Sequence, residues 1–322
     1  MANKCSRSNP HCGFSFKSNF HLRAGILTVS EFGMVSFVLS SALLIYSLRQ
    51  AYEKYKRRSG TPGSSGEPWI QPISILFLCA IFMDMVHGIS NILTIRWALA
   101  GEVTEGAYCT TQSVFKQVGG NGLALFTIAI AVLTYLQVIH PDWSDHGGAK
   151  IFTAGSIYFI IQFIVTTVTI PAVLIHPYYG NIGMWCWIVE GSKMRIVQYT
   201  LMWVSVPILF ITYGRVAYKW LRQASFDDDI NLRSDAIAMG WYPISYCFIV
   251  VPISVICFLQ SHALGGQLHP SAPILPAAIY ALWGAINVFL WYFTGRHFGF
   301  SKVSSSRKNS SSVIIERAGT YH

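Results

Sequence analysis

The chain has 322 residues, of which 52% are hydrophobic and only 11% charged, against about 25% charged in typical soluble domains. This composition leaves too little polar surface for a water-soluble globule and indicates a membrane protein. In a soluble protein the net charge of +9 would indicate nucleic-acid binding. Here the basic residues flank apolar segments, so we expect contact with the lipid bilayer and no nucleic acid.

Seven apolar segments along the chain are each long enough for a helix that crosses a bilayer. We expect transmembrane helices at residues 26–48, 73–95, 112–138, 151–175, 196–218, 241–259 and 274–293. The predicted fold class is therefore an all-α membrane protein, a seven-transmembrane helix bundle. Fifteen of the 23 lysines and arginines lie inside if the amino terminus is outside and the carboxyl terminus inside, and positive charge favours the inner side.

The seven spans divide the chain into three parts. Residues 1–24 form an extracellular arm, residues 25–296 the transmembrane domain, and residues 297–322 a cytosolic tail rich in serine and lysine. Phosphorylation of the tail would exchange its attraction to anionic lipid for repulsion, and simple disorder is the alternative interpretation. The candidate phosphorylation sites are Ser304, Ser305, Ser306, Ser310, Ser311 and Ser312.

The stretch that begins at Cys109 and contains the third span has the composition of a central helix. Three glycines remove side-chain bulk, which lets neighbouring helices approach closely in lipid: Gly119, Gly120 and Gly122. A cysteine at the outer end of this helix lies on the side where disulfides persist. We expect Cys186 to be its partner, because it is the only cysteine in any later loop. The sequence does not decide whether Cys5 and Cys12 in the arm form a second disulfide.

Lys116 is the charged residue in the outer part of the third span. Cys109, Gln112 and Lys116 follow the spacing i, i+3, i+7, so the lysine shares a helix face with the cysteine, about two turns below the outer loop. A cation there would attract an anionic extracellular small molecule. The candidate ligand-binding residues are Gln112, Lys116, Trp185, Trp187 and Glu190.

Structural roles are the alternative for this group. Lys116 would then reach the outer lipid headgroups or pair with Glu102, Glu105 or Glu190. The two tryptophans of the outer loop would simply pack it as a lid.

Four polar residues within the spans form a candidate internal network. Asp84, His87 and Asn91 follow i, i+3, i+7 in the second span and share one face, with Asn287 of the seventh span as a further member. Polar groups at membrane depth usually face the bundle interior and mark function. The network either rearranges when the protein changes state or statically joins the helices. Pro243 and Pro252 predict a hinge in the sixth span, with fixed curvature as the alternative.

Residues 179–188, YGNIGMWCWI, resemble the outer-loop signature of the cyclic-AMP-receptor-like family (class E type) of G-protein-coupled receptors. Gly240-Trp241-Tyr242-Pro243, Gly284 and Asn287 are also similar to that family. The resemblance implies a plasma-membrane, multi-pass receptor that senses an extracellular ligand and activates a heterotrimeric G protein. It does not make cyclic AMP the ligand.

Two departures separate this chain from rhodopsin-like receptors. Leu133-Thr134-Tyr135-Leu136 replaces the Asp/Glu-Arg-Tyr triplet, and Asn287 is not followed by proline. Coupling cannot be assigned to those motifs. We expect the agonist to enter below the outer loop and move the sixth span outward. The residues expected to border the G-protein cavity are Tyr135, Arg215, Lys219 and Arg222.

A seven-helix transporter of a small polar or anionic solute is the alternative function, although no internal repeat relates the two halves. An enzyme is not expected, because the spans lack the motifs GxSG and GxGD and any paired-histidine metal site. Asp84 is the only acidic residue deep in a span, so no aspartyl pair forms. The seventh span has no lysine for a retinal Schiff base. We expect no cofactor and no metal.

Overall fold

The computed structural model describes residues 14–59, 71–189, 193–227, 230–262 and 271–295. Within these ranges the chain is largely helical, and five helices are long and apolar enough to cross a membrane. A bent pair of helices near the carboxyl end adds a sixth. These helices confirm the predicted class, an all-α membrane protein.

The helices are described in chain order. They are α1 Phe20–Ser59, α2 Pro72–Ile92, α3 Ile95–Ala100, α4 Ala107–Ile139, α5 Pro141–Trp143, α6 Ala149–Leu174, α7 Lys193–Asp227, α8 Ile230–His262, α9 Ile274–Ala281 and α10 Trp283–Leu290. π-Helical turns follow α5 and α10, at Ser144–Gly148 and Trp291–Gly295. A short antiparallel hairpin, β1 Tyr179–Asn181 and β2 Cys186–Ile188, lies between α6 and α7.

Several helices extend beyond the apolar spans that the sequence predicts. α1 continues eleven residues past the predicted span of residues 26–48, through a basic segment, to Ser59. Alanine, lysine, arginine and glutamate are good helix formers, so the helix continues after the hydrophobic residues end. At its other end α1 begins at Phe20, before the predicted boundary at residue 24. The adjoining arm residue Phe16 is buried and pairs with the loop before α4 through its backbone.

The helix α4 lies at the centre of the bundle, between α2, α6 and α7. A Cβ atom at Gly119 would lie 2.7 Å from the backbone nitrogen of His87, and one at Gly122 would lie 2.6 Å from the Sδ of Met83. Both distances are shorter than a carbon atom tolerates. The glycines therefore allow α4 to touch α2 directly, as the composition of the third span predicted.

The predicted sixth span lies within α8. Its described apolar segment, Trp241–Ile256, is shorter than the other spans and than the roughly 20 residues that a transmembrane helix needs. The expected hinge residues Pro243 and Pro252 both lie inside α8, and the helix continues through them. Movement at these prolines stays a prediction.

The predicted seventh span is not one straight helix. It is divided into α9 and α10, which meet at Leu282 with a bend of 42°. A side chain of α1 interrupts the hydrogen-bond ladder at this point, and such an insertion is a known cause of sharp helix bends.

A first prediction concerns the packing of α4 against α2. Gly119→Ala should lower the free energy of unfolding by about 1–3 kcal/mol, because the added methyl group overpacks a contact with rigid backbone. Thermal unfolding of the purified protein in lipid nanodiscs measures the change. Gly155→Ala is the matched control: it lies on an exposed part of α6, and no other described part of the chain lies within 4 Å of an added Cβ atom. It should leave stability unchanged or slightly raised. Equal effects of the two substitutions would contradict the close packing.

Candidate ligand site beneath the hairpin

The hairpin that follows α6 is shaped by an asparagine and a glycine. Gly183 has a positive φ of 109°, which side chains rarely tolerate, and its N–H donates to Oδ1 of Asn181 at 2.7 Å. Nδ2 of Asn181 donates to the carbonyl of Val103, and the backbone N–H of Asn181 donates to Oε1 of Glu105, both at 3.3 Å. The turn is therefore attached to the segment that precedes α4.

A disulfide joins Cys109 at the beginning of α4 to Cys186 at the beginning of β2, with a Cα–Cα distance of 5.2 Å. This is the pairing that the sequence predicts. Both cysteines are buried. The bond brings the hairpin over the end of the bundle where α4 begins, and the hairpin residues that face inward lie close to α4.

Gln112 has a structural role in this junction. Its Oε1 accepts from Nε1 of Trp97 at 2.7 Å and from the backbone N–H of Cys186 at 3.1 Å. Its Nε2 donates to Oγ1 of Thr94 at 2.9 Å and to the carbonyl of Ser90 at 3.3 Å. A side-chain amide has two acceptor and two donor positions, so all four are used. Gln112 cross-links helices and hairpin, and the ligand contact expected of it from the sequence would require breaking these bonds.

Lys116 lies one turn further along α4, beneath the hairpin. Its side chain is only 8% exposed, and its Nζ lies 4.7 Å from the centre of the Trp185 ring. An ammonium group over an indole face is attracted by the ring quadrupole, more strongly when both are shielded from water. The lysine is therefore held inside the bundle and does not extend to the headgroups. Trp185 and Trp187 are both buried, as the lid interpretation requires.

Gln117 was not singled out from the sequence, yet it joins α4 to both α6 and the hairpin. Its Nε2 donates to the carbonyl of Thr167 at 3.0 Å, and its Oε1 accepts from the hydroxyl of Tyr179 at 2.5 Å. Pro171 has no N–H, so it cannot bond the Thr167 carbonyl four residues earlier. Gln117 satisfies that carbonyl instead. Burial raises the pKa of Tyr179, which keeps its hydroxyl protonated as a donor.

Aromatic rings line the interior below Lys116. The rings of His87 and Tyr280 meet edge to face at 4.6 Å between centroids. Trp283 contacts Tyr280 and Tyr246 in the same manner, each at 5.4 Å. The hydroxyl of Tyr246 is hydrogen-bonded to that of Ser205 on α7. This cluster joins α2, α7, α8, α9 and α10.

The four residues of the predicted internal network form two hydrogen-bonded pairs. Nδ2 of Asn287 donates to both carboxylate oxygens of Asp84, at 3.0 and 3.3 Å. Nδ2 of Asn91 lies 3.2 Å from the carbonyl and 3.4 Å from Nε2 of His87. Asp84, His87 and Asn91 are each at most 2% exposed. The first pair connects α2 to α10, whereas the second lies within α2.

Ser36 of α1 is the side chain that interrupts the last span. Its hydroxyl donates to the carbonyl of Ala281 at 2.6 Å and accepts from the N–H of Ala285 at 3.2 Å. In a regular α-helix these two backbone groups bond each other. The serine hydroxyl is thus inserted between them and holds the bend at Leu282 open.

The predicted G-protein residues lie at the opposite end of the bundle from the disulfide. Arg215 and Arg222 are exposed and Tyr135 is partly buried. Nζ of Lys219 donates to the carbonyl of Val138 at 2.6 Å, so the lysine caps the end of α4, where cations are favoured. The assignment of these residues to a G-protein surface stays a prediction.

Some predicted residues lie outside the described ranges. They are Glu190, the arm cysteines Cys5 and Cys12, and the six tail serines.

Comparison with known proteins does not assign the chain to a family. No protein-family model matches the chain, and no curated protein matches it. A function must therefore be argued from the residues of the chain itself and from the resemblance that its sequence carries.

A second prediction concerns the bend in the last span. Ser36→Ala should lower the free energy of unfolding by about 1–3 kcal/mol, because it leaves a buried carbonyl and a buried N–H without their bridging hydroxyl. Thermal unfolding in nanodiscs again measures it. Ser41→Ala is the control, since its hydroxyl donates only to Phe37 in its own helix. If both alanine variants unfold at the same temperature, the hydroxyl does not hold the bend.

Proposed function

We propose that this protein is a G-protein-coupled receptor of the cyclic-AMP-receptor-like family. It lies in the plasma membrane, senses an extracellular small molecule and activates a heterotrimeric G protein. The observation that carries the proposal is the hairpin formed by the family-like sequence. That hairpin is fastened by Cys109–Cys186 to the beginning of the central helix, above a buried lysine. In this proposal the hairpin covers a ligand site inside the helix bundle.

The proposed topology has seven spans, with the amino terminus outside. α8 supplies the sixth, since its 33 residues extend about 50 Å at 1.5 Å per residue. The bent pair α9–α10 supplies the seventh. The distribution of basic residues supports this orientation, and so does the disulfide, which then faces the oxidising side.

The ligand in this proposal has an anionic group that approaches Lys116. The lysine is shielded from water, so its attraction for an anion is stronger than at an exposed surface. Trp185 covers the ammonium group, and an anion that enters would compete with or join this contact. Trp187 and the remainder of the hairpin form the lid.

Agonist action requires two conformations that bind the ligand with different affinity. The end near the disulfide is cross-linked by Gln112, Gln117 and the disulfide, so the rearrangement is assigned to the other end. There α8 contains Pro243 and Pro252, and outward movement of α8 opens a cavity for a helix of the G protein. Tyr135, Arg215 and Arg222 would border it, with Lys219 switching between Val138 and the partner.

A transporter of a small polar or anionic solute is the second candidate, because buried polar groups and prolines also serve alternating access. Purified protein reconstituted with a heterotrimeric G protein separates the two functions. Ligand-stimulated nucleotide exchange supports the receptor. Solute uptake into protein-containing liposomes, without stimulated exchange, would contradict the receptor and support transport.

A third prediction tests the anion contact. The test uses an agonist found by screening for G-protein dissociation. Lys116→Gln should raise the agonist concentration that gives a half-maximal response by about 30-fold or more, because the buried anionic group of the agonist loses the ammonium group that pairs with it. Lys116→Arg should recover part of the response, since it keeps the charge. Lys150→Gln, an exposed lysine, is the control and should respond normally. An unchanged dose response of Lys116→Gln at equal surface expression would refute the site.

A further inference from the structure

Gln198 of α7 is a buried amide with unused hydrogen-bonding capacity. Its side chain is 4% exposed, and neither Oε1 nor Nε2 has a hydrogen-bond partner among the described residues. Buried polar side chains are nearly always paired, and one left unpaired destabilises the fold. Such a group is satisfied by an ordered water or by a bound molecule.

The amide of Gln198 points toward the central helix at Gly120. Nε2 of Gln198 lies 3.6 Å, and the hydroxyl of Tyr280 2.9 Å, from the position that a Cβ atom of Gly120 would occupy. The methyl group of Met202 lies 3.8 Å from the same position. Two polar groups from α7 and α9 therefore converge where α4 carries no side chain. Any larger residue at position 120 would occupy the place where they meet.

The same place adjoins the proposed ligand site. Gly120 lies one helical turn beyond Lys116 on α4, about 6 Å along its axis. The ring of Tyr280 is held edge to face by His87 and Trp283, so aromatic rings border this place. At this separation a small molecule bound at Lys116 is long enough to reach the amide of Gln198.

We propose that Gln198 and Tyr280 form a polar subsite for a neutral planar group with a hydrogen-bond donor beside an acceptor, such as a carboxamide. This rests on the proposed function, whose ligand site it extends. An amide side chain offers an acceptor and a donor in one plane, so a ligand carboxamide pairs with both. A ligand group with an acceptor alone leaves Oε1 of Gln198 unpaired. The neighbouring aromatic rings favour a planar group over a bulky one.

The first experiment compares two glutamines in the ligand-free, full-length protein. Gln198→Met should raise the Tm by roughly 2–4 °C, because it replaces an unpaired amide by an apolar side chain of similar size. Gln117→Met should lower the Tm, since Gln117 bonds Thr167 and Tyr179. A Tm of Gln198→Met that is unchanged or lowered would overturn the proposal, because it would mean that Gln198 is satisfied within the protein.

The second experiment uses two probes of nearly equal shape at millimolar concentration. Benzamide carries a donor beside its acceptor, whereas acetophenone has a methyl group in place of the donor. Thermal shift and saturation-transfer NMR should show benzamide binding to the wild type at least several-fold better than acetophenone, and Gln198→Met should remove this preference. No benzamide binding, equal binding of the two probes, or a preference retained in Gln198→Met would overturn the subsite.

The two probes also separate this proposal from the receptor function. Their binding is measured without a G protein, so a protein that never stimulates nucleotide exchange can still show the subsite. Conversely, the protein could stimulate nucleotide exchange with an agonist that lacks a donor beside an acceptor. The proposed receptor function would then stand, and the proposed subsite would be wrong.

Discussion

Cys186 is attached to α4 twice, through its side chain to Cys109 and through its backbone N–H to Gln112. The two attachments lie less than one turn apart on the helix, so they fix both the position and the direction of β2. Trp185, the preceding residue, is thereby placed over Lys116. The neighbouring strand is held by Tyr179 on Gln117. The covered interior of the bundle depends on this junction.

The remainder of the bundle follows from the close packing of α4. Glycine allows its backbone to reach His87 on α2, which brings the polar residues of α2 to the centre. Asp84 then accepts a hydrogen bond from Asn287 of α10. Ser36 of α1 stabilises the bend from which α10 begins. The disulfide end is densely cross-linked by Gln112, Gln117 and the disulfide. In the proposed receptor this rigidity confines the conformational change to the other end, where Lys219 of α7 contacts the end of α4.

The features that depend on local composition could be predicted from the sequence. Apolar length predicted the helices, glycines predicted the central one, and the loop position of Cys186 predicted its disulfide. Features that depend on distant partners were missed: the bend in the last span requires Ser36, 245 residues before Ala281. The structural role of Gln112 was missed because its four partners come from three different segments, and its expected ligand contact stays a prediction. One signal could have indicated Gln117: it is a polar residue next to Lys116 within an apolar span. Its partner carbonyl, on Thr167, is left unpaired by Pro171, which lies 54 positions further along the chain.

The most direct test of this account is mass spectrometry of the protein digested without reduction, after its free thiols are alkylated under denaturing conditions. The account predicts a linked pair of peptides that contain Cys109 and Cys186, with Cys79 and Cys247, both free thiols in the structure, alkylated. Recovery of Cys109 and Cys186 as alkylated thiols, or linked to other cysteines, would contradict it. The hairpin would then have no covalent attachment to the central helix, and the covered site beneath it would lose its basis.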